Sequence, residues 1–119
     1  QPATQVRVGT PHASFTEAVR FISEFIKVGK AAILPCYLSL SHTCMQQVIN
    51  KFGKSTIQNY NINLVTDTCT YYAGPLPLPE KSEIIATNSG KWAYYARINF
   101  KIDTFITDIE QCARIAMQV

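Results

Sequence analysis

Between residues 15 and 26 the apolar side chains Phe15, Ala18, Val19, Ile22, Phe25 and Ile26 recur at three- and four-residue spacing, with Arg20, Ser23, Glu24 and Lys27 between them. That period places one apolar stripe on an amphipathic helix. Ser14 stands where an N-cap belongs, and Glu17, three positions later, completes a capping box. Gly29 ends the pattern, with Lys27 and Lys30 at the negative end of the helix dipole. A second helix is predicted after Ser41, its stripe made by Cys44, Met45, Val48, Ile49 and Phe52 and its stop by Gly53.

Elsewhere the period is two or the run is short and apolar. Residues 5–8 alternate, Pro11-His12-Ala13 reads as a turn, and residues 31–34 and 36–40 form a buried extended segment bent at Pro35. From Thr56 onward Tyr60, Ile62, Leu64 and Thr66 share one face and Asn59, Asn61 and Asn63 the other, the pattern of a strand with one wet side. Gly74-Pro75-Leu76-Pro77-Leu78-Pro79 lacks a ladder donor at three positions and is expected as a stiff, polyproline-like connector.

Residues 84–87, the turn Asn88-Ser89-Gly90 and residues 91–103 then read as a hairpin. Its second strand sets Trp92, Tyr94, Ala96, Ile98, Phe100 and Ile102 against Tyr95, Arg97, Asn99 and Lys101. The last segment fits two periods. Ile106, Ile109, Cys112, Ala113 and Ala116 behind a Thr107–Glu110 capping box predict a helix, whereas Ala113, Ile115, Met117 and Val119 alternate as a strand would. The cap favours the helix. These elements sum to an α+β fold, a mainly antiparallel sheet packed against two or three helices, with residues 1–119 as a single domain.

Composition agrees with a globular core: 119 residues, 47% hydrophobic and 16% charged. A chain this long buries roughly two-thirds of its unfolded surface without needing a metal or a disulfide. No apolar run approaches the ~20 residues of a membrane span. The formal charge of +3 is spread along the chain, with no basic run that would bind a polyanion.

Cysteines change the picture more. Cys36, Cys44, Cys69 and Cys112 make an even count in a short chain that opens on Gln1-Pro2-Ala3, as a mature chain after signal cleavage or a trimmed one would. The expectation is a secreted or periplasmic protein with disulfide bonds. Three pairings are open, among them Cys69–Cys112 with Cys36–Cys44. A Cys69–Cys112 bridge would contribute about 4 kcal/mol on the loop-entropy model. Four reduced, buried thiols in a cytosolic protein are the alternative.

Candidate chemistry is sparse. Cys44, beside His42 at a helix start, has the setting of a reactive thiolate, although it also lies on the apolar stripe. His12 sits in a turn, Glu80 and Glu83 flank the proline connector, and Asp103, Asp108 and Glu110 cluster near a helix start, where caps and the dipole already explain Asp108 and Glu110. No C-x-x-C, EF-hand, phosphate-loop or nucleophile-elbow pattern occurs, so neither a metal nor a cofactor is expected. Tyr95, Arg97 and Lys101, with Lys91, would present a stacking and charged ribbon, but the glycines of an RNA-binding strand are missing, so a nucleic-acid partner is not expected.

The same ribbon, with Pro77 in the proline connector, is the expected surface for a protein partner, and a homo-oligomer is open. Two helices within residues 14–53 followed by a meander over residues 56–119 are similar in element order to the NTF2-like cone of VirB8-type and IcmL-type periplasmic components of type IV secretion systems. That resemblance implies a ligand pocket lined by Trp92, Tyr94 and Phe100. The leading expectation is a non-enzymatic exported interaction domain: a secretion or assembly component, a toxin-associated subunit or an inhibitor. A small thiol enzyme using Cys44 and an NTF2-like ligand-binding domain are the alternatives.

Overall fold

A computed structural model describes residues 2–66, 83–99 and 102–119, with the backbone alone at Thr10, Pro11, Trp92, Tyr95 and Asn99. Cys69, the 74–79 connector with Pro77, Glu80, Phe100 and Lys101 lie outside the described residues. In chain order the elements are β1 (Gln5–Ala13), α1 (Phe15–Val28), β2 (Cys36–Leu40), α2 (His42–Phe52), α3 (Lys54–Asn59), β3 (Asn63–Thr66), β4 (Ile84–Thr87), α4 (Gly90–Asn99), β5 (Asp103–Ile106) and α5 (Ile109–Met117).

The helix boundaries follow from their caps. Ser14 accepts from the Glu17 N–H and Glu17 accepts from the Ser14 N–H, closing the predicted box, and Gly29 takes the left-handed conformation at φ 78°. Ser41 caps α2 by accepting from the Cys44 N–H at 3.1 Å, and Asp108 caps α5 by accepting from the Gln111 N–H at 2.7 Å. The ambiguous last segment is therefore helical.

The sheet corrects the expected fold class. All four strand pairs are parallel, in the order β3-β2-β1-β4-β5, so this is an α/β fold and neither a mainly antiparallel sheet nor an NTF2-like cone. Parallel neighbours need a crossover, which is why helices separate strands that a hairpin would join directly. The expected strand over residues 91–103 is instead α4 followed by β5, and Asn88-Ser89-Gly90 leads into a helix. Likewise, only residues 63–66 of the alternating 56–66 segment are strand, because α3 takes residues 54–59.

Register assigns the faces. Val6 pairs with Cys36 and Ala86, and Val8 pairs with Leu38. These residues share a core with Phe21, Ile22 and Phe25 of α1, Val48 of α2 and Cys112, Ala113 and Ala116 of α5. Each large buried side chain there contributes roughly 2–3 kcal/mol of apolar transfer. On the opposite face Ile85 packs with Ala96 of α4 and Ile102, a much smaller core among the described residues.

The predicted α1 stripe is rotated slightly. Phe21 is fully buried while Phe15 and Ile26 stand partly exposed. The cause is α5, which lies beside α1 and is tied to it by Arg20–Glu110 and by Arg114–Glu24. The pairs rise together along both helices, so α1 and α5 run in parallel. Hydrogen bonds from the Arg20 guanidinium hold the Glu110 carboxyl below the usual carboxylate range.

Candidate active-site crevice

Strand order reverses at β1: one crossover leads outward to β2 and β3, while β4 and β5 lie on its other side. In open α/β sheets that reversal leaves a crevice beyond the carboxyl ends of the two central strands. Here those strands are β1 and β4.

β1 is distorted at this point. It pairs with β2 at Val8–Leu38 and again only at Ala13–Leu40, so Gly9, Thr10, Pro11 and His12 bow out where β2 advances by Ser39 alone. Gly9 has φ +83°, and a Cβ placed on it would lie 2.5 Å from the Ala13 Cβ and backbone nitrogen. The chain turns back on itself too tightly for any side chain there. The turn is held from β4: the Gly9 N–H donates to Asn88 Oδ1 at 2.9 Å, and the next N–H, that of Ser89, donates to Thr87 Oγ1 at 3.1 Å.

The parallel topology brings helix N-termini to this same end. α1 starts at Ser14, directly after the turn, α2 starts after Ser41, and α4 starts after Ser89. Their unpaired backbone N–H groups give the rim a partial positive character. His12 in the turn and His42 at the first position of α2 are both exposed. Ser39 Oγ, opposite the bowed segment, is buried with no hydrogen-bond partner among the described residues. The rim thus offers two imidazoles, suited to proton transfer, beside backbone donors suited to an anionic substrate group.

Beneath the rim lies an unusual polar stripe on the α4 side of the sheet. Arg7 is 1% exposed, its Nε donates to Gln5 Oε1 at 2.5 Å, and Gln5 Nε2 donates to the Glu83 carboxylate. The guanidinium also lies over the Tyr37 ring at 5.4 Å. Burial brings the Arg7 pKa down to about 10, against the opposing pull of Tyr37 and Glu83.

The sequence-predicted site residues are distributed otherwise. Arg97 and Lys91 are exposed on α4, so the expected β-ribbon does not form, and the side chain of Tyr95, like Lys101 and Pro77, lies outside the described residues. Tyr94 is exposed on α4 and lines no deep cone pocket. Cys36, Cys44 and Cys112 are free, buried thiols, so no Cys36–Cys44 bridge exists. Burial pushes the Cys44 thiol up, the reverse of an activated nucleophile, and its Sγ faces the Ala13 carbonyl at 3.9 Å. Cys36 is raised too, and burial pushes Cys112 up to about 12. Asp108 is a cap, as expected of an acid at a helix start, whereas Glu110 closes no capping box with Thr107 and instead pairs with Arg20.

Nothing in the sequence marks Gly9 or Ser39, and Asn88 reads only as a hairpin turn residue. Pro11-His12-Ala13, expected as a turn, belongs to the distorted end of β1, and only the parallel register places Asn88 against it.

Residues 3–118 match the family model of the aconitase X third domain. The chain is 30% identical over 113 residues to the phosphomevalonate dehydratase large subunit of Thermococcus kodakarensis, which takes in 93% of this chain and 28% of that protein. It is also similar to the crystal structure of Thermococcus kodakaraensis aconitase X in its holo form, with a TM-score of 0.80 and 26% identity, covering 95% of this chain and 28% of that one. The chain therefore spans less than a third of the length of these relatives.

These likenesses overturn the expectation of a non-enzymatic exported interaction domain, together with its thiol-enzyme and NTF2-like ligand-binding alternatives. The secreted or periplasmic location falls with them, since it rested on disulfides and the described cysteines are free thiols. No helix among the described residues is long and apolar enough to cross a membrane. With a matching family model over nearly its whole length and the same arrangement of strands and helices as a solved relative, this chain belongs to the aconitase X third-domain family.

Proposed function

We propose that residues 1–119 form one domain of a dehydratase of the aconitase X kind, and that the domain contributes the crevice at the carboxyl ends of β1 and β4 to the active site. The observation that carries this reading is the Gly9–His12 turn, held by Asn88 at the point where strand order reverses. A tight turn that only glycine permits, placed at the position where α/β sheets bind ligands, supports a substrate-facing role.

The substrate is a hydroxy acid of the phosphomevalonate kind, by likeness to the relative named for it. Dehydration removes a proton from one carbon and hydroxide from its neighbour. The C–H electron pair becomes the new double bond, the C–O pair leaves with oxygen, and the products are an alkene and water. His12 and His42 are the groups on this rim suited to carrying the proton. Backbone donors at the helix starts suit the substrate's negative charges. Among the described residues no three His, Cys, Asp or Glu side chains gather as metal ligands, so none is assigned to the group held by the holo-form relative.

Because the chain spans 28% of its relatives, a protein partner or further domains of the same polypeptide supply the rest of the site. Steady-state kinetics of the complete dehydratase test the reading. His12→Ala is expected to lower kcat/KM by about 100-fold, and Asn88→Ala, which frees the turn, by roughly tenfold. Full activity in both variants would remove the β1/β4 crevice from the active site.

A further inference from the structure

The side of the sheet next to the crevice is open. β5 is the last strand, with β4 as its strand neighbour, so its outward backbone groups have no strand partner among the described residues. Phe105 and Ile106 are 50% and 56% exposed, and β5 itself contains neither Lys nor Pro. Facing Ile106, α4 leaves Tyr94 and Ile98 72% and 61% exposed and buries Ala93 and Ala96. The result is a groove lined by Gly90, Tyr94, Arg97, Ile98 and Ile106. Large apolar side chains turned outward along a groove mark an interaction surface.

The groove is continuous with the crevice. Gly90 lies two residues after Asn88, which accepts from the Gly9 N–H, and the Thr107 N–H, one residue beyond Ile106, donates to the Thr87 carbonyl at 3.0 Å. Whatever sits on Tyr94, Ile98 and Ile106 therefore borders the β1/β4 crevice. The relatives carry more than twice this chain's length outside the matched region, since 28% of each is covered. A domain that supplies only part of an active site meets the rest at an apolar face beside that site.

We infer that the α4–β5 groove seats the polypeptide that carries the remainder of the dehydratase, through apolar side chains against Tyr94, Ile98 and Ile106 and a carboxylate against Arg97. This rests on the dehydratase reading above. The seated surface walls the crevice on its β5 side and brings its own side chains to it. Arg97 is then a partner contact at the polar rim of an apolar interface.

Hydrogen exchange in the complete dehydratase tests the inference, comparing wild type with the double variant Ile98→Glu/Ile106→Glu. Both positions are more than half exposed, so the domain should keep its fold, checked by circular dichroism. The amides of β5 and of residues 93–98 should exchange at least tenfold more slowly in wild type than in the double variant, and the double variant should lose at least tenfold in activity. Arg97→Glu, a milder change, should weaken protection partly. His12→Ala should lose activity and keep the protection, which separates a failed docking surface from a failed catalytic assignment. Equal exchange in wild type and double variant would overturn the inference.

Discussion

Gly9 shows how much one residue carries here. A methyl group at this position meets the Ala13 Cβ and nitrogen at 2.5 Å on a backbone already at φ +83°. Gly9→Ala is therefore expected to destabilise the domain by roughly 2 kcal/mol or more, seen as a lower urea midpoint, and to release the bond to Asn88. An unchanged midpoint would mean the turn relaxes freely. Pro11-His12-Ala13 carries the chemistry of a turn, but the closeness of Ala13 to Gly9 depends on β2 advancing two residues while β1 advances five, which no local signal contains. Arg7 is similar. Its alternation with Val6 and Val8 suggests a wet face, yet it is buried against Gln5 and Tyr37, because a parallel sheet covered on both sides leaves no wet face to occupy.

Among the elements, α1 and α2 are legible because each start and stop is chemically marked and acts locally, while α5 is legible by its apolar spacing, with Asp108 and not Thr107 as its cap. Ser14 with Glu17, Ser41 and Asp108 all satisfy backbone donors within three residues. What α1 packs against was not legible. Glu24, expected on its solvated face, is buried and accepts from Arg114 of α5 at 2.8 Å. Removing the guanidinium leaves that carboxylate without its ion-pair partner, so Arg114→Ala should cost about 1–2 kcal/mol of stability by chemical denaturation. Arg20→Ala should cost less, because its ion pair with Glu110 is open to water on both sides. A larger loss at Arg20 would reverse this assignment. α4 was misread because residues 91–103 alternate well enough to pass for a strand. The helix buries alanines at positions 93 and 96 and leaves Tyr94 and Ile98 outside, so its apolar stripe is too slight to compete in the pattern.

The whole molecule is unevenly cored. One face of the sheet holds the large cluster shared by α1, α2 and α5, while the other, among the described residues, holds Ile85, Ala96 and Ile102. In the chain without partners, amides of β4 and β5 should therefore exchange faster than those of β1 and β2, since local opening follows the depth of packing. Uniform exchange across the sheet would count against this division. Such an uneven core suits a domain that leans on neighbours at its β5 side. By itself the sequence determined that the chain folds around an apolar core, where α1 and α2 begin and end, and that a helix closes the chain. Those properties depend on composition and on contacts a few residues apart. Tertiary structure alone decided that the strands run parallel, that Cys36, Cys44 and Cys112 stay free, that residues 90–99 are helical and that Asn88 meets Gly9. Strand direction, the separation of the thiols and the Asn88–Gly9 bond depend on residues far apart in the chain, and the alternation over residues 91–103 is the same whether they form a strand or a helix.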